Sequence, residues 1–161
     1  MIQQPIQTLE QLREMKGSFS LTEKNSPSEI SLEGSDLWDI SLAGIPLTVE
    51  EPLELTFLWN QGDVLKLSFS PHEFMMDRSS CGSLFSKGLW NRIKAPLSSR
   101  TLTDCRILLD RGLIEVFLDG GRSCMTNQIF PAGRLKKLRI TPGNRIEEIK
   151  GFPLRSIWGG M

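Results

Sequence analysis

The chain of 161 residues has no tyrosine and a single histidine, His72, with no cysteine or second histidine near it. Nucleophilic catalysis of the Ser-His-Asp or Cys-His kind needs a histidine beside the nucleophile, and His72 follows Pro71 in an expected hairpin turn. Three cysteines, Cys81, Cys105 and Cys124, are too few and too scattered for a zinc site and show no C-x-x-C spacing. No metal and no cofactor is implied. The cysteines read as free thiols, which favours a reducing compartment such as the cytoplasm; a disulfide between Cys105 and Cys124 stays open. Net charge is lacking too, since 19 Lys and Arg balance 19 Asp and Glu, and no dense basic cluster offers a footprint for nucleic acid. No apolar run approaches the roughly 18 residues of a membrane span. The N-terminal stretch also lacks the apolar core of a signal peptide, so neither membrane nor export is expected. Internal repeats and low-complexity tracts are absent.

What is present is a succession of short β-patterned runs. Residues 105–131 are the most informative: three apolar runs, 106–109, 113–118 and 122–130, separated by Asp110-Arg111-Gly112 and Asp119-Gly120-Gly121 and closed by Pro131. Both separators are turn chemistry, and Asp119-Gly120-Gly121 is a strong hairpin signal, so an antiparallel three-strand meander is expected. Because the Gly pair leads into another strand and not a helix, it is no phosphate loop. Further strands are expected over residues 19–22, 30–33, 37–42, 53–59, 64–70, 73–77, 135–141 and 146–157, the last broken at 151–153. Turn signals recur about every eight to twelve residues, the rhythm of an all-β sandwich or barrel. After the polar run of residues 78–83, residues 84–100 are expected to form a long loop across the rim. The one helical signal lies in residues 3–16, where Ile6, Leu9, Leu12 and Met15 recur every third position and Thr8 is a candidate N-cap. The expected organisation is a helical lead-in over residues 1–16 and a single two-sheet antiparallel β-sandwich over 17–161.

Carboxylates are the remaining source of chemistry. Glycoside hydrolysis needs two of them across one bond, and Asp77, Asp110, Glu115 and Asp119 are the candidates. Asp77 and Asp110 each precede an arginine, Arg78 and Arg111, at a strand end, where a carboxylate commonly accepts turn amides. Glu115 differs, because it sits mid-strand on the face of Leu113 and Phe117. A carboxylate there must be paired, with Arg111 for example, or must line a concave ligand surface. Four tryptophans, Trp38, Trp59, Trp90 and Trp158, read first as core or edge residues.

Residues 105–131 resemble the signature of the C-terminal β-sandwich domain of glycoside hydrolase family 32, the invertases, levanases, inulinases and sucrose-6-phosphate hydrolases. That run reads roughly L-x-x-L-x-D-R-S-S-x-E-V-F-x-N-D-G and ends in I-F-P. Leu108, Leu109, Asp110, Arg111, Ile114, Glu115, Val116, Phe117, Gly120 and Ile129-Phe130-Pro131 match, while Gly112-Leu113 replaces the serine pair. Residues 74–82 resemble the family's D-R-S-x-S-G segment, and residues 4–13 its P-V-x-E-L-E-x-L-R linker. The propeller motifs W-M-N-D-P-N-G, R-D-P and E-C, which carry the family's nucleophile, stabilising aspartate and acid/base, do not occur, so no catalytic residue is expected in this chain. The resemblance implies a lectin-like sandwich that is a non-catalytic accessory to a β-fructosidase propeller, or that assembles with another copy of itself. Its alternative is a module for terminal β-fructosides of sucrose, levan or other fructans. In that case Asp110, Arg111 and Glu115, with Asp77 and Arg78, would meet sugar hydroxyls, and Trp90 would stack on the ring.

Overall fold

The computed structural model describes residues 2–22, 28–82, 91–97, 101–143 and 145–156. Among them the chain forms two six-stranded antiparallel sheets. The first has the order β1 (Phe19–Thr22), β12 (Glu148–Pro153), β3 (Leu37–Pro46), β8 (Thr101–Asp110), β9 (Leu113–Leu118), β10 (Ser123–Gln128). The second runs β2 (Glu29–Ser31), β11 (Leu135–Thr141), β4 (Leu53–Trp59), β5 (Val64–Phe69), β6 (Glu73–Ser80), β7 (Arg92–Pro96). The fold is all-β, as the turn rhythm requires.

Alternation builds the core. Leu53, Leu55, Phe57 and Trp59 of β4 and Leu65, Leu67 and Phe69 of β5 all point inward, meeting Ile114, Val116 and Leu118 of β9 from the opposite sheet. Slipping either strand by one residue would turn its entire apolar row to solvent, so the hydrophobic pattern sets the register. Phe69 and Phe74 face each other across a hairpin with ring centroids 4.9 Å apart.

The meander β8-β9-β10 forms as expected, with Cys105 opposite Leu118 and Ser123 opposite Leu118 on its other side. Its second turn places Asp119, Gly120 and Gly121 all at positive φ, 49°, 64° and 84°. Two glycines meet that demand without strain, and the aspartate tolerates it because its carboxylate accepts the amide of Thr103 at 2.9 Å.

Four expectations are corrected. The lead-in is a short 3₁₀ helix, Gln7–Leu12, with Ile6 and not Thr8 at the cap position and no side-chain cap bond. Within the loop expected over residues 84–100, β7 forms and pairs with β6; residues 83–90 and 98–100 lie outside the described residues. An edge strand bearing Arg92, Lys94 and Pro96 carries the protective charges and proline that make it read as loop. Third, β3 continues past residue 42 to Pro46, its pairing passing over Gly44 and resuming between Ile45 and Leu102. Fourth, β12 runs unbroken through Gly151 to Pro153. A Cβ on Gly151 would come within 2.2 Å of the Phe19 ring, so the glycine marks a seat for an aromatic ring and not a strand break. Phe19 in turn lies 5.9 Å from Trp38.

The cysteines are free. Cys105 points into the core and Cys124 to the outer surface, on opposite faces of one sheet, which rules out the disulfide between them.

Candidate functional site

The outer face of the first sheet is organised by a carboxylate that the sequence did not single out. Asp39 sits mid-strand in β3 on the face away from the core, yet is only 1% exposed. Its neighbour across the ladder is Leu108, and beyond Leu108 comes Glu115. Arg106 grips Asp39 with two bonds, Nε to Oδ1 at 2.9 Å and Nη2 to Oδ2 at 2.8 Å. Arg13, arriving from the lead-in, donates Nε to Oδ2 at 2.8 Å and lays its guanidinium 4.8 Å from the centre of the Phe152 ring. Glu10 lies within 3.6 and 3.7 Å of the two arginines. A buried carboxylate holding two guanidiniums in this way is satisfied on both oxygens, as burial of a charge requires.

This cluster pins the lead-in as a strap across the sheet. At one end the amide of Gln3 donates to the carbonyl of Gly121 at 2.9 Å, and Gln4 Nε2 to the carbonyl of Gly120 at 2.8 Å. At the other, Arg13 and Leu154 form a β-bridge, flanked by bonds from the Glu14 amide to Pro153 and from the Arg155 amide to Leu12. Under the strap Leu108 and Phe117 are buried although they point away from the core. Of the expected apolar stripe, only Leu9 and Leu12 turn partly inward. Ile6 and Met15, outside the 3₁₀ turn, are 69% and 77% exposed.

Between strap and sheet lies a groove of about 230 Å³. Leu9 and Leu12 form one wall, Leu37, Leu108, Leu113 and Leu154 the floor, and Asp110, Arg111 and Glu115 the rim. Three of the six candidate residues thus converge. Glu115 accepts a bond from Thr126 Oγ1 at 3.3 Å and, among the described residues, pairs with no arginine. Arg111 does not pair with it; the guanidinium that could have served Glu115's face, Arg106, is committed to Asp39.

Asp77 and Arg78 belong elsewhere, on β6 of the second sheet, and point to opposite faces of it. Asp77 accepts the Ser79 amide and hydroxyl at 2.9 and 2.6 Å and Arg92 Nε at 2.8 Å. Partial burial opposes its ionisation, but these donors outweigh it and hold the carboxyl below the ordinary aspartate range. Arg78 is buried and reaches across the sandwich to donate Nη1 to the carbonyl of Gln128 at 2.6 Å, tying β6 to β10. Both residues stitch strands. Trp90 lies outside the described residues. No group of three or more His, Cys, Asp or Glu able to hold a metal occurs among the described residues.

Comparison with known proteins follows the same lines. The model of the C-terminal domain of glycosyl hydrolases family 32 matches residues 8–150. A sucrose-6-phosphate hydrolase of Vibrio alginolyticus is 34% identical over 108 residues, which is 66% of this chain and 21% of that protein. The chain therefore spans about a fifth of the curated relative it matches. Among solved structures, sucrose-6-phosphate hydrolase from Lactobacillus gasseri superposes with a TM-score of 0.78 at 18% identity, covering 97% of this chain and 31% of that one. The Caenorhabditis elegans galectin LEC-6 superposes with a TM-score of 0.62 at 12% identity, covering 86% of this chain and 97% of the galectin. At such identities the likeness is one of fold, a lectin-like sandwich. With the match extending from within the strap into β12, the chain belongs to the family of C-terminal domains of glycosyl hydrolases family 32.

Proposed function

We propose that the chain is the accessory sandwich of a β-fructosidase-type hydrolase and works by packing against the catalytic domain. The observation that carries this reading is the distribution of exposed apolar bulk. The large hydrophobic side chains left exposed among the described residues are Ile2, Ile6, Met15, Val49 and Phe130, and the first three lie on the strap. A segment fixed to its own sheet by buried ion pairs, yet presenting large apolar side chains outward, suits a layer sandwiched between two folded bodies. The leucine-floored groove behind it, with acidic and basic groups only on its rim, suits an aliphatic side chain better than a sugar ring.

The chain's own carboxylates support a non-catalytic role. Asp77 is fixed by Ser79 and Arg92 on the second sheet, whereas Asp110 and Glu115 rim the groove on the first. Asp110 and Glu115 come from adjacent strands of one sheet, and the wall facing them, Leu9 and Leu12, carries no carboxyl to complete a pair across a glycosidic bond. As to substrate, the Vibrio relative is called a sucrose-6-phosphate hydrolase, and a sucrose-type β-fructoside is the substrate class this reading assigns to the whole protein.

A second reading, a module for terminal β-fructosides, is favoured by the convergence of Asp110, Arg111 and Glu115. Calorimetric titration with fructose, sucrose and levan separates the two. The accessory reading expects no heat at millimolar ligand. Saturable binding abolished by Glu115→Ala without loss of the fold would replace it with the second.

A further inference from the structure

The first sheet ends at β10, and the outer side of that strand is an edge. We propose that this edge pairs antiparallel with β10 of a second copy of the chain, about a two-fold axis at Met125, so that the two first sheets run on into one another.

The four sheet edges are not equally guarded. β7 carries Arg92, Lys94 and Pro96, while β1 and β2 are only four and three residues long. Charge, proline and shortness each discourage the addition of a strand. β10 has six residues, no charge, no proline and an unshifted register with β9. Its outer side also has bonding groups to offer. The Ile129 amide donates to the Gly112 carbonyl on the β9 side, so alternation turns the amides and carbonyls of Cys124 and Thr126 the other way, where no described strand meets them. The Gln128 carbonyl points outward too, but Arg78 Nη1 already occupies it.

These groups fix the register. Opposite residues of an antiparallel pair either exchange both bonds or exchange none. The register that uses Cys124 and Thr126 without the Gln128 carbonyl sets Cys124 of each copy against Thr126 of the other, and Met125 against Met125. Neither exposed side chain at this seam, Cys124 or Thr126, is charged, so no like charges meet. The ends of the strand identify the occupant as a second copy. Ile2 precedes Gln3, which bonds Gly121 and Cys124 at one end, and Phe130 follows the buried Ile129 at the other; they are 66% and 44% exposed. Antiparallel pairing brings the Ile2 end of each copy to the Phe130 end of the other, which is the self-complementarity an isologous contact needs. Ile6 and Met15 lie further along the strap, so this pairing does not depend on the accessory role.

The test is sedimentation equilibrium of the chain from about 1 μM to about 1 mM. A contact smaller than a standard interface should give a monomer–dimer equilibrium with a Kd of about 10–100 μM. Thr126→Lys and Phe130→Ser should each raise that Kd about tenfold or more and leave the melting temperature as before. In a Cys124→Ser background, Met125→Cys should cross-link into a disulfide dimer on mild oxidation, because the two backbones face each other at the axis, and Thr126→Cys should not. That cross-link reads the contact even where Thr126→Lys fails to fold. The proposal is overturned by a chain that stays monomeric at about 1 mM, by a dimer indifferent to both Thr126→Lys and Phe130→Ser, or by a dimer that Met125→Cys does not link. Hydrogen-exchange protection of the Cys124 and Thr126 amides that appears only when a catalytic domain is joined to the chain would give the edge to that domain and overturn it as well.

Discussion

Asp39 shows how a single buried charge ties sequence-distant parts together: Arg106 is its partner from the neighbouring strand and Arg13 from the strap. Removing the carboxylate leaves two partly buried guanidiniums without it. Asp39→Ala is therefore expected to cost about 3–5 kcal/mol in denaturant unfolding, against about 1 kcal/mol or less for Glu148→Ala, whose pair with Lys150 is on the surface. Equal losses would mean that Asp39 does not anchor the strap. The thiols give a second expectation. Burial raises the Cys105 thiol, and burial with the nearby Asp63 charge raises Cys81 to about 12, whereas Cys124 is exposed. Native protein at mildly alkaline pH should take up one alkyl group and denatured protein three. Because the unfolded thiols ionise near their ordinary value of 9.0 while the folded Cys81 keeps its proton to about 12, stability should fall as pH rises across that interval. Stability that is level or rising over the same range would contradict the burial. Glu115 was legible as a residue needing an explanation; Asp39 was not. In Leu37-Trp38-Asp39-Ile40-Ser41-Leu42 the alternation makes Asp39 look like an ordinary solvent-facing residue, and nothing local says that a strap from residues 2–15 will cover it.

At the scale of elements, the strap depends on the β9–β10 turn. A Cβ on Gly121 would come within 1.7 Å of the Gln3 carbonyl oxygen, and the residue sits at φ +84°. Gly121→Ala should thus lift the start of the strap and destabilise the domain by about 1–3 kcal/mol. Cys124 Sγ donates to Gln3 Oε1 at 2.6 Å, so the same variant should raise the rate at which Cys124 reacts with a thiol reagent. An unchanged rate would show that the strap's first residues do not depend on the turn. The meander and the β4–β5 hairpin were readable because alternation and turn residues agree there. The strand β7 and the end of β12 were not: Arg92, Lys94 and Pro96 suit an exposed edge and look like loop, and Gly151 looks like a break until the Phe19 ring above it is known.

At the scale of the molecule, two antiparallel sheets and eleven of the twelve strands among the described residues follow from the turn rhythm, but the strand order does not. Placing β12 between β1 and β3, and β11 between β2 and β4, joins segments from opposite ends of the chain through long-range contacts that no local pattern encodes. That order seats the strap, because β12 delivers Leu154 and Arg155 to meet Leu12 and Arg13. The exposed side of the strap is the face proposed to meet the catalytic domain. Substitution of Ile6 and Met15 by serine should leave the isolated sandwich as stable as before, since both are largely exposed, and should weaken its hold on a catalytic domain by about tenfold or more. The most direct measurement is a chimera in which this chain replaces the C-terminal domain of the Vibrio alginolyticus sucrose-6-phosphate hydrolase, followed by its half-life of activity on heating. The chimera should outlast the catalytic domain alone, and its Ile6→Ser, Met15→Ser version should lose the gain. A chimera that inactivates as fast as the bare catalytic domain, with the sandwich still folded, would contradict the proposed packing.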